Sequence, residues 1–436
     1  MKRIIYLLLA LCLCGTISAQ SISLYFPHFA GAEYDFYLIQ ADKTDTISSG
    51  RIGTDGNLSL IIPEKHKDYA GMARWVLKNG GGLDFVVNGE NFSVSCVEVI
   101  PNDGTIIYKG SAENNFLRQQ HFKQQKLLQK INGLQIIVES YKDEPENSFL
   151  PLLGTELEKQ KSAFESLVEE TRGSNLYAAH YRRMMDCYTW QPLYHIYNND
   201  PANEEKYLDD MRHFISEELN MEYLYTSGLW NAIISQTFDL YPDKTDFGNT
   251  MVTLLERTQS PKVFEQLATD LVTIVEQYNW TNAGEIIINY LVACERIQYP
   301  NVRLEIAFAM QKAKKGSPAP NLSFDKKDLL KTPTILVFYE IGCGSCENEM
   351  QQLKDNYEIL KEKGYKVISV SADHDQSIFE NTAKLFPWEN KFCDGEGFEG
   401  ENFKNYGVIG TPTFYIIENG IIQGRHARLQ DTGVLN

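Results

Sequence analysis

The chain has 436 residues, 43% apolar and 23% charged, the balance of a folded protein with more than one core. Its formal net charge of −17 repels polyanions, which sets nucleic acid aside as a partner and names no substrate. The first residues read as a targeting segment. Lys2 and Arg3 supply a positive start, and Ile4 to Cys14 is an apolar run too short to span a bilayer with ease. Gly15-Thr16-Ile17-Ser18-Ala19 then offers a small-residue exit, which predicts a signal peptide over 1–19 with Gln20 as the new terminus. Leu11 and Leu13, each before a cysteine, argue against a lipoprotein. No later stretch is apolar enough to predict a membrane span, so the expected location is the periplasm of a Gram-negative envelope.

Residues 20–111 alternate with period two and are punctuated by turns. Tyr34 to Gln40, Asn57 to Ile62, Leu83 to Gly89, Phe92 to Ile100 and Thr105 to Gly110 read as strands. They predict an all-β sandwich or barrel with no catalytic constellation. Residues 112–315 change to helical spacing. Breaks near Pro151, Pro201, Pro242, Pro261 and Pro300 cut this stretch into helices of ordinary length. Tyrosine is dense from Leu176 to Tyr197, as an aromatic core or a binding groove requires. His180, Cys187 and His195 lie there too, but not at the steps that place metal ligands on one helix face.

The segment Gly316 to Phe324 ("GSPAPNLSF") breaks the helices and opens residues 316–436. Thr334 to Tyr339 is a buried-type strand, followed by a helix beginning near Cys343 and carrying Met350, Leu353, Tyr357 and Leu360 at helical spacing. Tyr365 to Ser371 is a second strand and Gln376 to Phe386 a second helix. Thr413 to Ile417 and Ile421 to Arg425 flank Glu418-Asn419-Gly420, a hairpin turn. The order β-α-β-α-β-β predicts a mixed sheet with helices packed on it.

Six cysteines lie outside the predicted signal: Cys96, Cys187, Cys294, Cys343, Cys346 and Cys393. The first three stand alone in apolar settings, as buried inert thiols do, and a bridge among them is left open. Cys343 and Cys346 are different. At a helix start the free amides and the macrodipole stabilise a thiolate, and Cys346 lies one turn along on the same face. A zinc clip needs further ligands, and the sequence offers no second Cys-x-x-Cys and no nearby His pair. A structural staple across so short a loop gains little chain entropy. The residues therefore favour a reversible dithiol, in which Cys343 attacks and Cys346 resolves.

Three motifs together carry a resemblance. Pro318-Ala319-Pro320 leads in, a strand runs into Cys343-Gly344-Ser345-Cys346, and Gly410-Thr411-Pro412-Thr413 precedes a strand. Residues 316–425 resemble the TlpA-like thiol–disulfide oxidoreductases, exported members of the thioredoxin superfamily often given the AhpC/TSA name. The resemblance implies an α/β thioredoxin-like fold, no cofactor, protein disulfides as substrates, and a membrane or periplasmic electron donor. It implies a cis Pro412 facing the cysteines, with Thr411 and Pro412 seating the substrate. It gives Glu349, three positions after Cys346, the part of proton acceptor for the buried sulfur.

The sequence also departs from the pattern. Gly342 stands where the family has tryptophan, and Val337 replaces the buried acid of thioredoxins. Leu336 and Glu340 occupy the proline and threonine places of the peroxidase motif, which argues against peroxide reduction. The expected function is a periplasmic thiol–disulfide oxidoreductase, more a reductase than an oxidase. The competing expectation is an envelope binding protein whose dithiol is vestigial or structural.

Overall fold

A computed structural model describes residues 20–189, 201–324 and 329–436. The expected signal peptide and His195 lie outside the described residues. The chain forms two compact units, one running through Tyr241 and the other from Pro242 to Asn436.

Among its described residues the first unit holds eight strands: β1 (Ser21–Tyr25), β2 (Glu33–Gln40), β3 (Lys43–Arg51), β4 (Asn57–Ile61), β5 (Ala70–Leu77), β6 (Gly82–Asn88), β7 (Phe92–Ser95) and β8 (Ile107–Lys109). They make two four-stranded sheets, ordered β4-β1-β7-β8 and β3-β2-β5-β6. Alternate residues of both, among them Ile22, Leu24, Phe36, Leu38, Trp75, Phe85 and Val94, share one buried core. The architecture is thus the sandwich of the two expected alternatives. The run from Phe92 stops being a strand at Ser95, short of Ile100. Its neighbour β1 ends opposite it at Tyr25, which leaves Val97, Val99 and Ile100 unpaired and exposed.

Six α-helices follow among the described residues of this unit, over Ala112–Ser140, Leu150–Arg172, Tyr177–Tyr188, Pro201–His213, Met221–Tyr225 and Trp230–Leu240. Pro151 sits in a first helical turn, where its missing N–H costs no hydrogen bond. Asn114 clamps the first helix to β6: its side-chain oxygen accepts from the Val86 N–H and its amide donates to the Val86 carbonyl, both at 2.8 Å. Within the described part of the tyrosine-rich stretch, Tyr177 is fully buried against Tyr181 and Tyr223, whereas Tyr188 is exposed.

The second unit begins with helices over Lys244–Arg257, Pro261–Gln277, Thr281–Ala293 and Val302–Lys312. Its sheet comprises β9 (Thr334–Tyr339), β10 (Lys366–Ser371), β11 (Asn390–Cys393), β12 (Thr413–Glu418) and β13 (Ile421–His426), ordered β11-β10-β9-β12-β13. The first three are parallel, and β12 and β13 are antiparallel. This is the mixed sheet expected, with β11 added at one edge. The lead-in also joins the sheet: Gly316 N–H donates to the Ile422 carbonyl (2.7 Å) and Ala319 N–H to the Gly420 carbonyl (2.8 Å).

All six residues of β9 are buried. Leu336 and Phe338 point to one face, with Phe403, Tyr406 and Tyr415. Ile335, Val337 and Tyr339 point to the other, with Cys346, Met350, Leu353 and Trp388. The helix after β9 runs Gly344–Asp355 and restarts as Tyr357–Glu362, so the single periodic run is two helices. The multidomain class is as expected: β-rich, then helical, then α/β. The division into compact units falls at Tyr241/Pro242, inside the helical stretch.

Candidate active site

The site is assembled where β9 runs out. Tyr339 ends the strand, and residues 340–342 turn the chain into a helix. Ile341 N–H donates to Asp373 Oδ2 (3.2 Å), which ties this turn to the loop after β10. Gly342 takes a φ of +83°, a backbone state that a side chain disfavours. The tryptophan of the family pattern would be strained there.

Cys343 is the N-cap of Gly344–Asp355, in extended backbone, and its carbonyl accepts the Glu347 N–H at 2.9 Å. It is partly exposed, whereas Cys346 is fully buried. The two thiols are held apart in acidity. A hydrogen bond from the Cys346 side chain, then the backbone N–H groups of Cys346 and Ser345, hold Cys343 below the ordinary thiol range. Partial burial and the charge of Glu340 oppose this. Burial first, then its bond to the Cys343 sulfur, pushes Cys346 up to about 11. One sulfur is thus readily ionised and accessible, and its neighbour keeps its proton.

The opposite wall is the turn into β12. The Thr411–Pro412 peptide is cis. The Thr411 carbonyl lies 4.0 Å from Cys343 Sγ, and the Thr411 hydroxyl favours the ionised form of Cys346. β12 pairs with β9 so that Thr413 lies opposite Phe338. Two neighbouring strands therefore deliver the cysteines and the proline loop to the same end of the sheet.

Glu349 is also nine-tenths buried. Its Oε2 accepts the Leu429 N–H at 2.8 Å, and Gln352 Nε2 lies 3.5 Å from Oε1. The sequence spacing put Glu349 on the Cys346 side of the helix, and the fold adds Leu429 as its partner. Cys393 ends the edge strand β11, with its thiol donating to the Asp373 carbonyl at 3.1 Å. Asp373 was not singled out from sequence, although its position just past β10 places it at the sheet end where loops converge.

Replacing Cys346 with alanine removes the hydrogen bond that contributes most to the acidity of Cys343. The pH midpoint for alkylation of Cys343 is therefore expected to move upward, read by iodoacetamide labelling and mass spectrometry of its peptide. An unchanged or lowered midpoint would contradict the assigned cause.

Residues 309–425 match the AhpC/TSA family. The chain is 30% identical over 116 residues to the thiol-disulfide oxidoreductases ResA of Bacillus thuringiensis subsp. konkukian and of Bacillus cereus. That alignment covers 25% of this chain and 66% of each relative, just short of two thirds of their length. Among solved structures, a thiol:disulfide interchange protein DsbE of Chlorobium tepidum is 26% identical, with TM-score 0.25, over 28% of this chain and 92% of its own. A thioredoxin-like protein of Parabacteroides distasonis is 22% identical, with TM-score 0.25, over 28% of this chain and 94% of its own. The family match lies in the C-terminal part of the chain and agrees with the resemblance read from its motifs.

Proposed function

We propose that the C-terminal region, with its AhpC/TSA match over 309–425, is a thiol–disulfide oxidoreductase acting on protein disulfides in the periplasm, in the reducing direction. The observation that carries this reading is the pairing of unlike thiols at one helix start, facing a cis-proline turn.

The chemistry follows from that asymmetry. The Cys343 thiolate attacks one sulfur of a substrate disulfide. The Cys343–substrate bond forms as the substrate S–S bond breaks, and one substrate thiolate leaves. Cys346 then gives up its proton and attacks the Cys343 sulfur, releasing the second substrate thiolate. The substrate gains two electrons and the 343–346 pair becomes a disulfide. A dithiol donor in the envelope returns the pair to the reduced state. Thr411 and Pro412 seat the substrate chain against the nucleophile.

Resolution is the harder half, because burial keeps Cys346 protonated. Glu349, one turn further along the helix, is the proposed proton acceptor, reached directly or through water. Glu349→Gln keeps an oxygen for the Leu429 N–H and removes the charge. It is expected to slow decay of the mixed disulfide about tenfold or more while leaving the melting temperature nearly unchanged. Equal decay rates in quench-flow would remove Glu349 from the mechanism.

The reading as a whole is tested by trapping. Cys346→Ala can attack but cannot resolve, so it should accumulate covalent adducts with envelope proteins through Cys343. Reducible adducts on the Cys343 peptide are the expected result. Absence of any such adduct, with Cys343 still alkylated readily, would overturn the reading.

A further inference from the structure

The surroundings of Cys343 carry information about substrate that the dithiol itself does not. Three glycines ring the thiol: Gly342 before it, Gly344 after it and Gly410 on the opposite turn. A Cβ placed on any of them would meet nothing within 4 Å. Open space at these three positions leaves room for a docking chain beside Cys343. Ile409, beside Gly410, is 61% exposed and supplies an apolar edge.

Two carboxylates stand close to Cys343 along the chain. Glu340 lies on the turn between β9 and the Cys343 helix, exposed, and near enough for its charge to oppose ionisation of Cys343. Glu347 lies in the first helical turn, also exposed, its backbone N–H bonded to the Cys343 carbonyl. Neither carboxylate has an ion-pair or side-chain hydrogen-bond partner among the described residues. Other exposed acids of the second unit do have such partners, as Glu276 has Arg303, Glu399 has Lys404 and Asp431 has Arg428. Glu340 is, moreover, set against the needs of its own site, since a negative charge beside a nucleophilic thiolate makes that thiolate harder to form. An unpaired acid there gains its favourable contacts from whatever docks.

We propose that Glu340 and Glu347 make the dithiol site selective for protein disulfides whose cysteines are flanked by lysine or arginine. The inference rests on the oxidoreductase reading above and specifies its substrate class. A cationic residue beside the substrate cysteine meets one of the two carboxylates as the disulfide approaches Cys343. It also offsets the repulsion between Glu340 and the thiolate, so attraction and activation act together at encounter. An acidic flank meets repulsion from both carboxylates and from the thiolate. The selectivity is electrostatic and exposed, so it weakens with ionic strength.

Three synthetic peptides with one intramolecular disulfide, identical except for lysine, glutamine or glutamate beside each cysteine, test this. The fully reduced protein serves as a stoichiometric reductant, and the second-order rate constant for each peptide is read from the appearance of peptide thiols. Roughly a tenfold or greater preference for the lysine over the glutamate peptide is expected at low salt, shrinking at high salt. In Glu340→Gln/Glu347→Gln the ratio should fall to about twofold, with the alkylation midpoint of Cys343 moving downward. Equal rates on the three peptides, or a preference untouched by the double substitution, would overturn the charge selection while leaving the oxidoreductase intact. No reduction of any peptide would overturn the oxidoreductase reading and this inference with it.

Discussion

Cys343→Ser is expected to abolish disulfide reduction, with a loss of at least about a hundredfold in the rate of thiol release from an oxidised protein substrate. The size of the loss follows from what remains. Cys346 is fully buried, and burial, the largest cause of its raised pKa, persists in the variant, so it stays protonated and inaccessible near pH 7. Cys393 donates to the Asp373 carbonyl and is itself pushed upward by burial. Cys343 is the thiol that combines partial exposure with raised acidity. The assay is reduction of an oxidised protein by the variant with dithiothreitol as the terminal donor, corrected for dithiothreitol alone. Wild-type rates from the serine variant would move the chemistry elsewhere in the chain.

The second large effect concerns stability. Phe338→Ala is expected to destabilise the second unit by about 3–5 kcal/mol. Phe338 is fully buried in the middle of the sheet and packs on Phe403, Tyr406 and Tyr415, at ring-centroid distances of 4.9, 5.4 and 6.2 Å. Alanine leaves a void bounded by three rings whose own positions are fixed, two of the tyrosine hydroxyls being bonded to the Pro320 and Tyr406 carbonyls. Such a site collapses poorly, and so the cost falls in the upper part of the range. Amide exchange across β9 and β12 reads this directly, because a drop of that size raises the open population a hundredfold or more. The matching surface change, Ile409→Ala, should leave exchange within about 0.5 kcal/mol of wild type. If both variants exchanged alike, the central packing would not be what holds the sheet.

Burial made one part of the fold legible in the sequence. "TILVFY" over Thr334 to Tyr339 carries no charge because both faces of β9 are covered, and its short length with β-branched and aromatic residues favours a strand over a buried helix. The hairpin at Asn419 and Gly420 was legible because both residues take positive φ, which few residue types tolerate. Position in the sheet did not decide the rest: the edge strands β4, β6 and β8 were read, whereas the central β1 and β5 and the edge strands β3 and β11 were not. β3 reads "KTDTISSGR", polar on both sides, since one edge has no neighbour and the outer face meets water. β11 is four half-buried residues at the other sheet's edge. Both are held by backbone pairing, which leaves no mark on side-chain choice.

The candidate site divides in the same way. The cysteine pair and the Thr-Pro turn are local motifs, and each was visible alone. What brings them to one place is the β9–β12 register, a contact between residues more than seventy positions apart. The Asp373 tether of the 340–342 turn and the Leu429 partner of Glu349 are likewise long-range. An aspartate that follows a strand looks the same in sequence whether it meets solvent or a distant amide.

The lead-in over residues 316–319 has a practical bearing. Because its backbone groups complete the outer margin of β13, a recombinant piece of this protein begun at residue 320 would bare a row of amides and carbonyls along Ile421 and Ile422. The helix before it cannot be trimmed freely either, since Gly407, at φ +59°, has room for no more than hydrogen against Met310. A piece that keeps this packing as well as the dithiol therefore includes the helix from Val302, well before the first motif that marks the region.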